Sequence, residues 1–138
     1  MINSRPKISV IVPVYNEEKY LGKFLPQIIN QLEKARLNWQ LIVSENGSSD
    51  QTLKIAHKLA NQFEQVQVIS SPTANYGLAV KKGFLAADGQ YLVLFDLDYF
   101  NVGFVQKALL KMDKYDAIVG SKRDPRSKDA RTFFRRIA

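Results

Sequence analysis

The sequence predicts an α/β fold, a mostly parallel sheet with helices on both faces. Three observations carry the prediction: strand and helix signals alternate throughout, the strand runs are apolar on both faces, and polar loops follow the strands. Lys7-Ile8-Ser9-Val10-Ile11-Val12-Pro13-Val14 is β-branched and lacks helical spacing, so it reads as a buried strand giving way to a loop at residues 13–16. Asn16 is placed to cap a helix, with Glu17 and Glu18 in its first turn, where carboxylates suit the helix dipole. Tyr20, Leu21, Phe24, Leu25, Ile28, Ile29 and Leu32 recur at helical spacing, and Pro26 is expected to bend this helix.

Gln40-Leu41-Ile42-Val43 is a second strand and Glu45-Asn46-Gly47-Ser48-Ser49-Asp50 the loop after it. Ser49 or Asp50 caps a second helix carrying Leu53, Ile55, Ala56, Leu59 and Ala60. Val66-Gln67-Val68-Ile69 is a third strand, Asn75-Tyr76-Gly77 a turn, and residues 78–87 a third helix closed near Gly89. Residues 91–95 make a fourth strand, residues 102–112 a fourth helix, and Ala117-Ile118-Val119 a fifth strand.

Composition removes several classes of function. The 138 residues fit one domain, and 46% hydrophobic with 24% charged residues is the balance of a soluble globular protein. The absence of cysteine excludes disulfides, Cys-based zinc sites and thiol catalysis. His57 is the only histidine, and it sits in a helical pattern, so zinc hydrolysis through several histidines is excluded. No apolar stretch reaches a membrane span and the N-terminus lacks the hydrophobic region of a signal peptide, which predicts a cytoplasmic chain or one peripheral at the cytoplasmic face of a membrane.

The net charge of +7 is unevenly placed. Residues 122–138 hold Lys122, Arg123, Arg126, Lys128, Arg131, Arg135 and Arg136 against Asp124 and Asp129, which is +5 of the total and asks for a local anionic partner. Only Phe133 and Phe134 lie between these bases, too few for a stacking platform, so no nucleic-acid partner is expected.

The chemistry concentrates at Asp96-Leu97-Asp98, which ends the apolar run of residues 91–95. Carboxylates at i and i+2 can reach one hard divalent cation, Mg²⁺ or Mn²⁺, whose shell is completed by water and substrate phosphates. Ligands of such sheets bind outside the carboxyl ends of the strands. The loops after strands one, two and four, carrying Tyr15-Asn16-Glu17, Glu45-Asn46-Gly47 and Asp96-Leu97-Asp98, therefore converge on one edge. The first loop has no Gly-x-Gly-x-x-Gly, and the chain has no P-loop Gly-Lys-Ser/Thr, so the dinucleotide and P-loop readings fail.

Taken in register, Ser9-Val10-Ile11-Val12-Pro13-Val14-Tyr15-Asn16-Glu17-Glu18, Glu45-Asn46-Gly47-Ser48-Ser49-Asp50, Asn75-Tyr76-Gly77, and Asp88-Gly89-Gln90-Tyr91 leading into Asp96-Leu97-Asp98 resemble the family-2 glycosyltransferases of Rossmann-like GT-A fold. The resemblance covers nearly the whole chain. It implies a UDP- or GDP-sugar donor, with Pro13, Tyr15, Asn16, Glu17, Glu45, Asn46, Gly47, Asp96 and Leu97 about the nucleotide. It implies Asp96 and Asp98 as the catalytic pair that holds Mg²⁺ or Mn²⁺. The residue types suit these tasks: tyrosine offers a stacking face, a carboxylate accepts from ribose hydroxyls or a base N–H, and a cation neutralises the leaving diphosphate.

Gly120-Ser121-Lys122-Arg123, followed by Arg131-x-x-x-Arg135-Arg136, is similar to the polyprenol-phosphate branch of that family, which includes dolichyl-phosphate mannose and glucose synthases. This implies Lys122, Arg131, Arg135 and Arg136 at the phosphate of a polyprenyl-phosphate acceptor on a membrane surface. The implied reaction is inverting, metal-dependent sugar transfer. A saccharide acceptor and a non-catalytic nucleotide-sugar-binding module are the alternatives. Residues 1–121 would form the nucleotide-sugar-binding core and residues 122–138 an incomplete acceptor segment, since family catalytic domains run well beyond this length. Two departures stand out: Glu45-Asn46 replaces the frequent pair of aspartates, and Phe100 stands where some members place a further polar metal ligand.

Overall fold

The computed structural model describes residues 8–121, which fall into one compact unit ending at Val102 and a second beginning at Gly103. The first contains β1 (Ile8–Val14), α1 (Leu21–Lys34), β2 (Trp39–Asn46), α2 (Thr52–Ala60), β3 (Val66–Ser71), α3 (Tyr76–Leu85) and β4 (Tyr91–Leu94). The strands lie in the order β3-β2-β1-β4 and every pairing is parallel. The chain moves outward from β1 to β3 and then returns past β1 to β4, so its crossovers reverse direction. Right-handed crossovers accordingly put α1 and α2 on one face and α3 on the other.

The side chains agree. On the α3 face, Ser44 Oγ donates to the Ala79 carbonyl (2.7 Å), and a Cβ at Gly83 would stand 2.5 Å from Ile11 Cγ2. Toward the other face point Ile8, Val10, Val12, Leu41 and Val43, all fully buried, as are Leu21, Leu25, Ile28 and Leu32 of α1. Burying a leucine or isoleucine contributes about 1.5–3 kcal/mol, so this layer is the main source of stability in the unit. Strands β1 and β2 are apolar on both faces, as expected. Strand β4 is apolar as well, but Leu92 and Leu94 on one of its faces are exposed.

Several element boundaries differ from the expectation, each for a local reason. Helix α1 begins at Leu21 and not at Asn16: a turn comes first, in which the Tyr20 and Leu21 N–H groups donate to the Glu17 carbonyl (3.0 and 2.8 Å). Glu17 and Glu18 lie in that turn, and Asn16 is left-handed, with φ of 52°. The helix runs unbroken through Pro26. Gln51 flanks α2 instead of Ser49 or Asp50, although Asp50 Oδ1 still accepts from the Thr52 N–H (2.9 Å). Helix α3 begins at Tyr76, capped by Asn75 Oδ1 accepting from the Leu78 N–H (2.9 Å).

Strands β2 and β3 run on to Asn46 and Ser71 because their ladder keeps pairing to that point. Glu45 and Asn46 are thus strand residues and not loop residues. Pro13 also lies inside β1, opposite Ser44. Its backbone faces β4, since Ile11, two residues earlier on the same side, accepts from the Phe95 N–H (3.0 Å). Registered pairing with β4 ends at Ile11↔Leu94, so the proline interrupts no formed rung.

Helix α4 runs Val102–Leu109, shorter than expected. Ala117–Val119 forms no strand, which corrects the expected fifth one: three residues without a ladder partner leave their backbone to solvent, and Val119 is 88% exposed. Within the second unit Gly120 lies against the Phe104 ring. Among the described residues no helix is long and apolar enough to cross a membrane. Lys122, Arg131, Arg135 and Arg136 lie outside the described residues.

Candidate functional site

Strands β2, β1 and β4 are parallel neighbours, so the loops that follow them leave from one edge, as the sequence predicts. Strand order reverses at β1 and β4, and the crevice outside such a reversal is where open α/β sheets bind ligands. Asp96-Leu97-Asp98 forms one lip. Leu97 is buried and anchors the loop, Asp96 is half-buried and Asp98 is exposed. Asp96 bridges antiparallel to Tyr99, whose N–H donates to the Asp96 carbonyl (3.2 Å), so the chain turns back at once and holds both carboxylates near the lip.

Tyr15, Asn16 and Glu17 form the opposite lip. The Tyr15 side chain is 48% exposed, and Glu17 is half-buried. Burial first, then the negative charges of Asp98 and Asp50, push the Glu17 carboxyl above its ordinary value. The Glu17 carboxyl thus feels two neighbouring negative charges, a field that favours a cation. Among the described residues no three His, Cys, Asp or Glu side chains form a metal-holding group. Asp96 and Asp98 nonetheless match the donor set of a hard cation that takes one or two carboxylates and draws its other ligands from water and phosphate.

Glu45 closes the floor at 2% exposure. Its Oε1 accepts from the Ser48 N–H and its Oε2 from Ser70 Oγ (2.6 Å). Burial by itself would raise this carboxyl, but the hydrogen bonds from Ser70, Ser48 and the Gly47 N–H together hold it below its ordinary value. Asn46 is similarly committed, its Oδ1 accepting from the Asn75 N–H (2.6 Å). Gly47 has φ of 71°, and a Cβ there would stand 2.8 Å from the Thr73 carbonyl carbon. The loop after β2 is thereby tied to the loop before α3. It is tied to the first loop as well, through Asn16 N–H to Ser48 Oγ (3.0 Å) and Ser49 N–H to Asn16 Oδ1 (2.9 Å).

Of the residues singled out in the sequence, the structure bonds Asn16 to Ser48 and Ser49, and Ser48 in turn donates its N–H to Glu45; it also sets Glu17 against Asp98, with Pro13 partly exposed in β1. Ser48, Asp50, Thr52 and Ser70 were missed as members of the site. The signal for the first three was the run of residues 48–52, which reads locally as no more than a turn and a cap; Ser70, in β3, had none.

The parallel sheet with an acidic loop at its point of reversal defines a GT-A type of α/β fold. Residues 9–138 match the family described as glycosyl transferase family 2, and the chain belongs to it. It is 33% identical to the dolichyl-phosphate beta-glucosyltransferase ALG5D of Trichomonas vaginalis over 94% of this chain and 44% of that protein. It is 34% identical to the undecaprenyl-phosphate 4-deoxy-4-formamido-L-arabinose transferase of Proteus mirabilis over 69% of this chain and 30% of that one. The crystal structure of S. aureus TarS 1–349 in complex with UDP-GlcNAc is similar with a TM-score of 0.57 and 28% identity, covering 80% of this chain and 32% of that one. The chain spans less than half the length of each of these proteins.

Proposed function

We propose that this chain forms the donor-binding portion of an inverting, metal-dependent glycosyltransferase that moves a sugar from a UDP- or GDP-sugar to a polyprenyl phosphate. The observation that carries the reading is the Asp-x-Asp lip at the reversal of strand order, facing an aromatic and acidic lip one strand away. The similarity to two proteins named as polyprenyl-phosphate sugar transferases supports the acceptor class. Tyr15 presents a flat face for the base, and Glu17 accepts from ribose hydroxyls. Glu45 and Asn46 shape the pocket floor. Asp96 and Asp98 would hold the Mg²⁺ or Mn²⁺, which when bound neutralises the diphosphate as it leaves. A phosphate oxygen of the acceptor attacks the anomeric carbon from the side opposite the leaving group. Because a phosphate monoester is already ionised near neutrality, this attack needs little help from a protein base. Lys122, Arg131, Arg135 and Arg136 suit an acceptor phosphate at an anionic membrane surface, to which the chain would bind peripherally.

Calorimetric titration with UDP, GDP and their sugars, with and without Mn²⁺, tests the donor site. Binding enhanced by Mn²⁺ is expected in the parent, and Asp98→Ala is expected to abolish the enhancement with the fold intact, because an exposed loop carboxylate adds little to the core. Unchanged Mn²⁺ dependence in that variant removes Asp98 from the metal site.

A further inference from the structure

Three consecutive backbone N–H groups open the first loop's turn, and each is taken by a side-chain oxygen from the loop after β2 or from the first residue of α2. Asn16 N–H donates to Ser48 Oγ (3.0 Å), Glu17 N–H to Thr52 Oγ1 (2.7 Å) and Glu18 N–H to Asp50 Oδ2 (3.2 Å). The return rungs are Ser49 N–H to Asn16 Oδ1 (2.9 Å) and Gln51 N–H to Glu18 Oε2 (3.0 Å). Side chains thus build a short ladder between two loops where the strands themselves have ended.

We propose that Thr52 and Asp50 are positioning residues of the donor site: through this ladder they fix the backbone of Glu17 and Glu18, and so aim the Glu17 carboxyl at the Asp96–Asp98 lip. The inference rests on the donor reading above. A helix-capping role for the pair would require only the Asp50 bond to the Thr52 N–H. The structure spends more than that. Thr52 is fully buried, its hydroxyl donates to Asp50 Oδ1, and its remaining acceptor capacity is turned away from its own helix toward Glu17, 35 residues earlier. Asp50 divides its two oxygens in the same way, Oδ1 serving Thr52 and Oδ2 serving Glu18. Glu17 in turn supplies the carbonyl from which α1 starts. Its main chain is therefore held from both sides, leaving the side chain as its adjustable part.

A corollary concerns the diphosphate. Free N–H groups at the start of a helix often receive phosphate. The N–H groups of residues 16–18, in the turn that precedes α1, are occupied by the ladder and so are not open to phosphate in this way.

The test compares Thr52→Val, which keeps the side chain's size and loses its hydroxyl, with Thr52→Ser, which restores the hydroxyl. Affinity for UDP and GDP in the presence of Mn²⁺ is measured by calorimetry beside the thermal midpoint, with Ala56→Gly as a control that weakens α2 without touching the ladder. Thr52→Val is expected to lose about tenfold or more in affinity, the scale of a lost buried hydrogen bond, while Thr52→Ser stays near the parent and Ala56→Gly binds normally despite its lower midpoint. If Thr52→Val does not fold, Asp50→Ala leaves the buried threonine in place and is expected to show the same loss. Parent-like affinity in the folded ladder variant overturns the inference, as does an equal loss in Ala56→Gly, which would reduce the effect to helix stability. A parent that binds neither nucleotide overturns the donor reading and this inference with it.

Discussion

Glu45 is a carboxylate kept ionised in a place that excludes water, and its dependence on pH follows from its partners. Its folded pKa lies below the unfolded value, so the stability it contributes is fully present above about pH 4.3, the usual glutamate value, and is lost as pH falls through the folded pKa. Glu45→Gln is expected to flatten the acid limb of stability measured by urea unfolding between pH 3 and 6. At pH 7 it is expected to cost about 1.5–3 kcal/mol, the scale of hydrogen bonds to a charged group. An unchanged acid limb would mean that other carboxylates govern it. Gly47 makes a second residue-scale prediction. Its left-handed φ of 71° and its approach to Thr73 leave no room for a Cβ, so Gly47→Ala is expected to lower the urea-derived stability by more than about 1–2 kcal/mol. Both residues are singled out by the sequence. Their bonding is not, because Ser70 stands 25 residues from Glu45 and no local pattern links them.

At the scale of elements, α3 is pressed onto β1 where Gly83 meets Ile11. Gly83→Ala is expected to cost about 1–3 kcal/mol through overpacking, and Ile11→Ala in the same chain, which removes the Cγ atoms the new methyl group would strike, to return part of it. The two substitutions are therefore expected to be non-additive in a double-mutant cycle; simple additivity would place the strain elsewhere. Elements with one strong periodic signal were the ones the sequence revealed. Of the seven residues the spacing of α1 picks out, Leu21, Leu25, Ile28, Ile29 and Leu32 are buried, while Phe24 is half-buried and Tyr20 is exposed just ahead of the helix; β1 and β2 are the continuous apolar runs they resemble. Helix starts were harder. Asn16 turns its side-chain oxygen to another loop, and Asp50 divides its oxygens between the Thr52 N–H and that loop; propensity within a window cannot see such competition. Ala117-Ile118-Val119 failed for the opposite reason: a β-branched pair suits a strand, but a strand exists only with a neighbour.

For the molecule as a whole, the convergence of three loops was readable because alternation of strand and helix dictates parallel strands, and parallel strands put their carboxyl ends together. Which loops share the crevice depended on strand order, and only the structure supplies the reversal at β1 and β4. The charge distribution is the other property of the whole chain, with +5 of the net +7 in residues 122–138. If that segment meets an acceptor phosphate at a membrane, the parent is expected to cosediment with vesicles containing anionic lipid. Replacing Arg131, Arg135 and Arg136 by glutamine is expected to reduce partitioning by roughly two orders of magnitude at low salt, at about 1 kcal/mol per basic residue, with nucleotide affinity unchanged. Loss of nucleotide binding with retained vesicle binding would instead place these arginines at the donor diphosphate.

Pro13 shows how little is needed to turn a sheet into a mouth. After the Ile11 carbonyl takes the Phe95 N–H, the next rung between β1 and β4 would run from the N–H of residue 13 to the Phe95 carbonyl, and proline has no hydrogen to give. On its other side β1 stays zipped to β2 as far as Val14 and Glu45. The seam therefore opens on one flank only, three residues before β1 ends, and the strand released there leads into Asp96 and Asp98. A single missing proton decides where pairing stops and a cleft begins.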